Sequence, residues 1–309
     1  MRNFLLISNL RIQNANALSS PYTLGFPAMT AWLGATHALE RQLRQNYPLF
    51  SSLHFPRTAV ISHQFEPQIY RGKHDYVSSI IGTSNPLNSK GGRPSFVEEA
   101  RCHLTVSLLI ECENVDPDDD EELINAVSTL LNSKLRIAGG DVLDVKEITY
   151  LSVDENPHSP SYRQLIHALM PGYVLIERRD LLLKNMAETQ QDILDSLLDL
   201  LAVHHQAEKK EETGTSANWR AFRKEPGWLV PIAVGFQAIS EISAATENAR
   251  DMTTPHRFAE PIVTLGEFVM PYRITQLSKM FWQYQLDTEH ALYLCQNQLS
   301  LEEGTHSHG

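Results

Sequence analysis

Near its start the chain runs from an almost wholly apolar stretch, residues 4–12, through an uncharged bend into an amphipathic segment, residues 28–46. The bend, residues 12–27, holds amides, hydroxyls, one Gly and two Pro and no charged side chain. The apolar run reads as a buried central strand. In the following segment Met29, Trp32, Leu33, Leu39 and Leu43 recur at helical spacing, Pro27 suits a first helical turn, and Gly34 and Ala35 allow close packing. A buried strand joined to a packed helix limits the chain to folds that mix the two. A polar junction without carboxylates also leaves the N–H groups of a helix start free to meet an anion.

The pattern continues as strand, long insert, strand, helix, strand. Residues 58–65 are rich in β-formers, residues 66–98 are broken by Gly and Asn-Pro, and residues 101–112 put Leu104, Val106 and Leu108 on one face. The acids from Asp116 to Glu122 open a helix that runs to residue 131, where the positive helix terminus favours them. Strands are expected over 135–138 and 145–152, on either side of Gly139-Gly140. The expectation is therefore an α+β fold with a ferredoxin-like βαββαβ core over residues 1–155, interrupted by an inserted hairpin at 66–98. A mixed α/β portion, residues 156–300, packs on it, and residues 301–309 form a disordered tail. In that portion the pattern predicts helices over 162–170, 180–205 and 274–282. It predicts strands over 172–176, 226–231, 258–268 and 291–294, and a polar linker over 207–218.

The 309 residues and 42% hydrophobic content suffice for a large core. No apolar run is long enough to cross a bilayer, and the first residues turn polar too soon for a signal peptide. Cys102, Cys112 and Cys295 form no CxxC pair and read as reduced thiols of a cytoplasmic protein. The net charge of −11 is unevenly spread: residues 1–110 carry ten Lys/Arg against five Asp/Glu, and the remainder sixteen against thirty-two. Such asymmetry fits a basic working surface in the first part of the chain, although a solvated acidic second half alone would also produce it.

Several chemistries find no support. Neither G-x-G-x-x-G nor G-x-x-x-x-G-K-[ST] occurs, no histidine pair has companions at metal spacing, and the acid run lacks a calcium loop's central Gly. No cofactor or metal is expected. His37, His63, His103 and His167 could each act as a base, but their positions suit hydrogen-bonded structural histidines better.

The insert carries Gln68, Arg71, Lys73, His74, Lys90 and Arg93 among only three acids, with Tyr70, Tyr76 and Phe96 interleaved. Cations for phosphates and rings for bases are what a single-stranded RNA surface needs, and a solubilising hairpin is the plainer reading. Trp219-Arg220, Phe222-Arg223-Lys224 and Pro226-Gly227-Trp228 form a second basic-aromatic cluster that suits a half-buried strand edge.

Seven segments then occur in order. They are Ile12-Gln13-Asn14-Ala15-Asn16-Ala17 with Gly25-Phe26-Pro27; Asn85-Pro86-Leu87-Asn88; Glu98-Glu99-Ala100-Arg101; Arg136-Ile137-Ala138-Gly139-Gly140; Pro171-Gly172-Tyr173; Lys224-Glu225-Pro226-Gly227-Trp228-Leu229-Val230-Pro231; and Asn248-Ala249-Arg250-Asp251. Together they resemble the small tail-subunit family (Csy-two, Cas-five-like) of type I-F CRISPR surveillance complexes, within the RNA-binding RAMP superfamily. The resemblance runs from residue 4 to about residue 295.

It implies an RNA-recognition core with a thumb-like hairpin and no enzymatic activity of its own. It implies a heterodimer with the large tail subunit, contact with the backbone subunits, a grip on the 5′ handle of the CRISPR guide RNA, and target DNA met only through the assembled complex. Carried onto this chain, it places handle contacts on Gln13, Asn14, Asn16, Thr23 and Gly25. From the insert it adds Arg71, Lys73, Asn85, Asn88, Lys90 and Arg93, and beyond it Arg101, Arg136, Gly139, Gly140 and Arg250. A RAMP-type endoribonuclease that processes CRISPR repeat RNA, with His37 or His63 as acid or base, is the alternative.

Overall fold

The computed structural model describes every residue except 82–86, 94–98, 134, 210–216, 245–250, 252 and 298–309. Its framework is a large antiparallel sheet of β1 (Arg2–Asn16), β2 (Thr58–Pro67), β3 (Arg101–Cys112), β4 (Arg136–Ile137), β5 (Gly140–Asp144), β6 (Glu147–Val153), β7 (Tyr173–Glu177), β8 (Leu229–Ala238), β9 (Ala259–Val269), β10 (Trp282–Asp287) and β11 (Leu292–Asn297). The described residues also form five α-helices: α1 (Met29–Asn46), α2 (Asp120–Ser133), α3 (Pro160–Ala168), α4 (Arg179–Thr189) and α5 (Ile193–Leu201).

β1 is the spine. β3 pairs along one edge; along the other, β6 pairs with Arg2–Ser8 and β5 takes over at Arg11–Gln13. The hand-over falls at Asn9, which sits at φ 49° and shifts the register with β3. A second shift lies at Asn14, φ 56°. Each bulge moves the side-chain alternation by one residue. Leu5 and Ile7 face α1 and α2; after the first bulge Leu10 and Ile12 do so, and after the second Ala15 and Ala17. This double reset keeps one continuous core behind a strand whose sequence alternates poorly. Asn tolerates the left-handed backbone that a bulge needs.

That core collects Trp32, Leu39 and Leu43 of α1 and Leu123, Val127 and Leu130 of α2. α2 starts where the acids predict: Asp116 accepts from the Asp118 N–H (3.1 Å), and Asp120, Glu121 and Glu122 fill the first turn. The opposite face of β1–β3 is covered only at its near end. There Phe4, Leu6, Ile61 and Leu109 pack against Tyr162, Leu165 and Leu169 of the α3 region and against Phe281. Ser159 caps α3 by accepting from the Tyr162 N–H (3.1 Å), with Pro160 at the first position.

The second half joins the sheet through β2. Ile61 and Ser62 pair with β7, while Thr58 of the same strand pairs with Trp282 of β10. From there the path β7–β9–β8–β11–β10 returns to β2 and closes a ring of strands. Trp282, fully buried, donates from Nε1 to the Leu175 carbonyl across that ring (2.8 Å). The Arg57 guanidinium holds Glu111 at 2.6 and 3.0 Å beside it.

Three expectations for this half are corrected. The helix expected over 180–205 is two helices: Gln190 takes a left-handed turn (φ 59°), and Asp192 starts α5 by accepting from the Asp195 N–H (2.8 Å). The linker expected over 207–218 is flanked and partly replaced by an antiparallel hairpin, His204–Lys209 with Ala217–Phe222. Over 274–282 the chain makes a 3-10 turn, Leu277–Met280, and enters β10, because burying Trp282 in the sheet outweighs the local helical spacing.

Two outcomes test this account. Replacing Asn9 with Val should lower unfolding free energy by about 1–2 kcal/mol in a denaturant titration, while Asn9→Gly stays within about 0.5 kcal/mol of the parent. Burial pushes the Cys102 and Cys295 thiols up to about 12, and Cys112 higher. All three should therefore resist Ellman's reagent at pH 8 until the chain is unfolded.

Candidate nucleic-acid interface

Beyond the Asn9 bulge the face away from α1 and α2 is open. Arg11 and Gln13 of β1, Gln64 and Glu66 of β2, and His103 and Thr105 of β3 line a shallow depression of about 230 Å³ there. Arg11 and Gln13 project from it because Leu10 and Ile12 turn to the core. Neither makes an ion pair or side-chain hydrogen bond among the described residues. Gln64 donates to Glu66 (2.5 Å).

At the rim the Asn14 bulge ties three elements together. Its N–H donates to His103 Nδ1 (3.2 Å), its side-chain oxygen lies 2.7 Å from the Gln68 amide nitrogen, and its carbonyl accepts from Arg101 (3.3 Å). Arg101 also pairs with Glu99. Asn16 brackets Leu18, accepting from its N–H and donating to its carbonyl, both at 3.0 Å. Both asparagines thus spend hydrogen-bonding capacity on shaping the bend. Thr23 is buried, its hydroxyl paired with those of Ser19 (2.9 Å) and Ser20 (2.8 Å). Gly25 returns its N–H to the Ala17 carbonyl (2.9 Å). Phe26 stacks on Trp32 (5.4 Å), whose indole N–H reaches the Pro27 carbonyl (3.2 Å) and fixes the exit into α1. No carboxylate stands in the first turn of α1 and no side chain caps it.

The turn after β4 lies against the same bend. Gly139 sits at φ 74°, and Gly140 is a contact glycine: a Cβ there would fall 2.7 Å from the Gln13 carbonyl oxygen and 2.8 Å from the Ala15 nitrogen. Gly140 is therefore fixed by packing. Arg136 projects into solvent and pairs with Asp141 (3.1 Å).

The insert leaves β2 as a short hairpin in which Ile69 pairs with Ile80 and Tyr70 with Ser79. Arg71 donates to the Asp75 carbonyl (3.1 Å), and Asn88 accepts from the Lys90 and Gly92 N–H groups (3.0 and 2.8 Å). Lys73, Lys90 and Arg93 are exposed and make no ion pair among the described residues. Asn85 and Arg250 lie outside the described residues.

His63 bridges the two parts of the sheet. Its Nδ1–H donates to the Pro171 carbonyl (2.5 Å), and its Nε2 faces the Ser107 hydroxyl (2.6 Å), which accepts from the Asn9 N–H (3.0 Å). Both ring nitrogens are thereby occupied. His37 is exposed on the outer side of α1. Among the described residues, no three His, Cys, Asp or Glu side chains come together as a metal site, and no helix is long and apolar enough to span a membrane.

The CRISPR-associated Csy2 family profile matches residues 5–295. A CRISPR-associated protein Csy2 of Pseudomonas aeruginosa (strain UCBPP-PA14) is 34% identical over 313 aligned positions, covering 94% of this chain and 93% of that protein. The chain belongs to the Csy2 family. The matched span runs from the buried start of β1 into β11, so the open sheet end, the bend and the insert all lie within what Csy2 proteins share in length.

Sequence reasoning found Gln13, Asn14, Asn16, Arg101 and the Gly139-Gly140 turn, which the fold brings to one end of the sheet. Arg11 and Gln64 join them there without having stood out in the sequence, Gln68 stood out only as part of the insert, and His103 only as a histidine suited to a structural role. The signal available was the alternation of Arg11 and Gln13 with Leu10 and Ile12. Gly140→Ala should cost about 1–3 kcal/mol in chemical denaturation, whereas Gly139→Asn, at a left-handed position, should cost less.

Proposed function

We propose that this protein is a non-catalytic, cytoplasmic subunit of a type I-F CRISPR RNA-guided surveillance complex that holds the 5′ handle of the guide RNA. The observation that carries the reading is the open, polar end of the sheet beside a hairpin with unpaired cations. The strand order β6–β1–β3–β2, all antiparallel with α1 and α2 on one face, supports a ferredoxin-like RAMP core over residues 1–155. In RNA-recognition sheets the face away from the helices takes the strand. Here α3 covers the near end of that face, which leaves Arg11, Gln13 and His103 at the far end for RNA. Lys73, Lys90, Arg93 and Arg71 would meet phosphates from the insert, the thumb of this reading. Arg101, Arg136 and Arg250 are further candidates, as are the backbone groups of Gly25, Gly139 and Gly140. Asn14, Asn16, Thr23, Asn85 and Asn88 would act mainly by shaping the loops that touch the handle.

Protein partners in this reading are the large tail subunit and the backbone subunits, and target DNA is met through the assembled complex. Exposed Ile69, Tyr70, Tyr76 and Val77 on the hairpin, and Ile193, Leu194 and Leu198 on α5, are apolar surface that subunit contacts would cover. Nothing in the geometry favours the endoribonuclease alternative: His63 has both nitrogens engaged in holding strands together.

Filter binding of the protein, with any co-purifying subunits, to repeat-derived RNA at graded salt tests the reading. Neutralising Arg71, Lys73, Lys90 and Arg93 together should weaken binding to all sequences and flatten the log–log salt slope by about 3. An unchanged slope would remove the hairpin from the interface. Cleavage of the RNA, lost in His63→Ala, would overturn the non-catalytic assignment.

A further inference from the structure

A second depression adjoins the polar one. It is a cleft of about 350 Å³ between the first bend and strands β2, β7, β8 and β9. The Phe, Tyr and Trp rings of Phe26, Phe65, Tyr173, Trp228 and Phe268 line it together with the His63 imidazole, and no Asp, Glu, Lys or Arg does. The rings form a connected set, with Tyr173–Trp228 centroids at 5.4 Å, Trp228–Phe268 at 5.6 Å and Phe26–Phe268 at 5.2 Å. Trp228 is held by rings on two sides yet remains 55% exposed. A tryptophan fixed in this way offers a flat apolar surface at little further entropic cost on binding.

Two more observations narrow the occupant. Ser62 lines the cleft and is 8% exposed, so its hydroxyl is a polar group that a ligand's edge can meet beside the apolar rings. Gln64 lines both depressions, so the aromatic cleft and the Arg11–Gln13–His103 surface meet at that residue, ring-lined on one side and polar on the other. An unpaired nucleotide has this division: a flat ring with hydrogen-bonding edges, joined to a sugar-phosphate that continues along the polar side. The volume, near the lower end of ligand sites (roughly 300–1,000 Å³), suits a single base.

We infer that this cleft is a stacking slot for one unpaired base of the bound RNA, seated against Trp228 with its edge toward Ser62 and Gln64. The inference rests on the RNA-binding reading above and adds where one base goes. The slot accepts any base by its π-face, so it contributes affinity and fixes the register of the handle more than it reads sequence.

The test uses the full chain with its co-purifying subunits and repeat-derived RNA carrying 5-iodouridine or 5-iodocytidine at one pyrimidine position at a time. Irradiation followed by peptide mapping should give an adduct on Trp228 or Tyr173 from one position only. Trp228→Ala should weaken binding about tenfold or more with an unchanged salt slope, because no phosphate contact is lost, and Trp228→Tyr should keep most of the affinity. Adducts that map only elsewhere, or a Trp228→Ala protein that binds within twofold of the parent, would overturn the slot and leave RNA binding intact. Loss of a co-purifying subunit in Trp228→Ala, with RNA affinity retained, would assign the cleft to a protein side chain and overturn it too. A parent that shows no salt-dependent RNA affinity would defeat the underlying reading itself.

Discussion

The structure depends on the two left-handed asparagines in β1. A regular strand of this length would send alternate residues to fixed faces, and Leu10 and Ile12 would then leave the core that Leu5 and Ile7 begin. Asn9 and Asn14 each reset the phase, so the same strand buries both faces near its start and one face near its end. The first reset also lets β6 give way to β5, and the second creates the junction with Arg101, His103 and Gln68. The open sheet end is thus a product of bulge geometry more than of local composition.

How far the sequence disclosed this follows from which forces are local. α1 and α2 were legible because periodicity and the acidic first turn of α2 act within a few residues; Pro27, expected in the first turn of α1, instead precedes its Ala28 cap. Strands β1, β2 and β3 were legible as runs of apolar and β-branched residues. The bulges were not: an Asn inside an apolar run looks the same whether its backbone is extended or left-handed. The misread 274–282 segment has the same cause in reverse, since the indole of Trp282 is satisfied by Leu175, more than a hundred residues away in the chain. At the candidate site, Gln13 and Arg101 stood out by context, while Arg11, Gln64 and His103 gain meaning only from strand register.

The polar groups of the site divide by what they already do. Asn14, Asn16, Thr23 and Asn88 are occupied inside the protein and give the loops their shape. Arg11, Gln13, Lys73, Lys90 and Arg93 have unspent donors. A chain of net charge −11 that keeps Arg11, Lys73, Lys90 and Arg93 exposed, while the bend beside Arg11 carries no charge at all, concentrates its attraction for anions on these cations.

The shared edge of β2 has a consequence for biosynthesis. Its partners on that side, β7 and β10, are separated from it by about a third and nearly three-quarters of the chain. During synthesis this edge of β2 is therefore covered in two stages, Ile61 and Ser62 by β7 and later Thr58 by β10. A product truncated before β10 would keep part of an adhesive border.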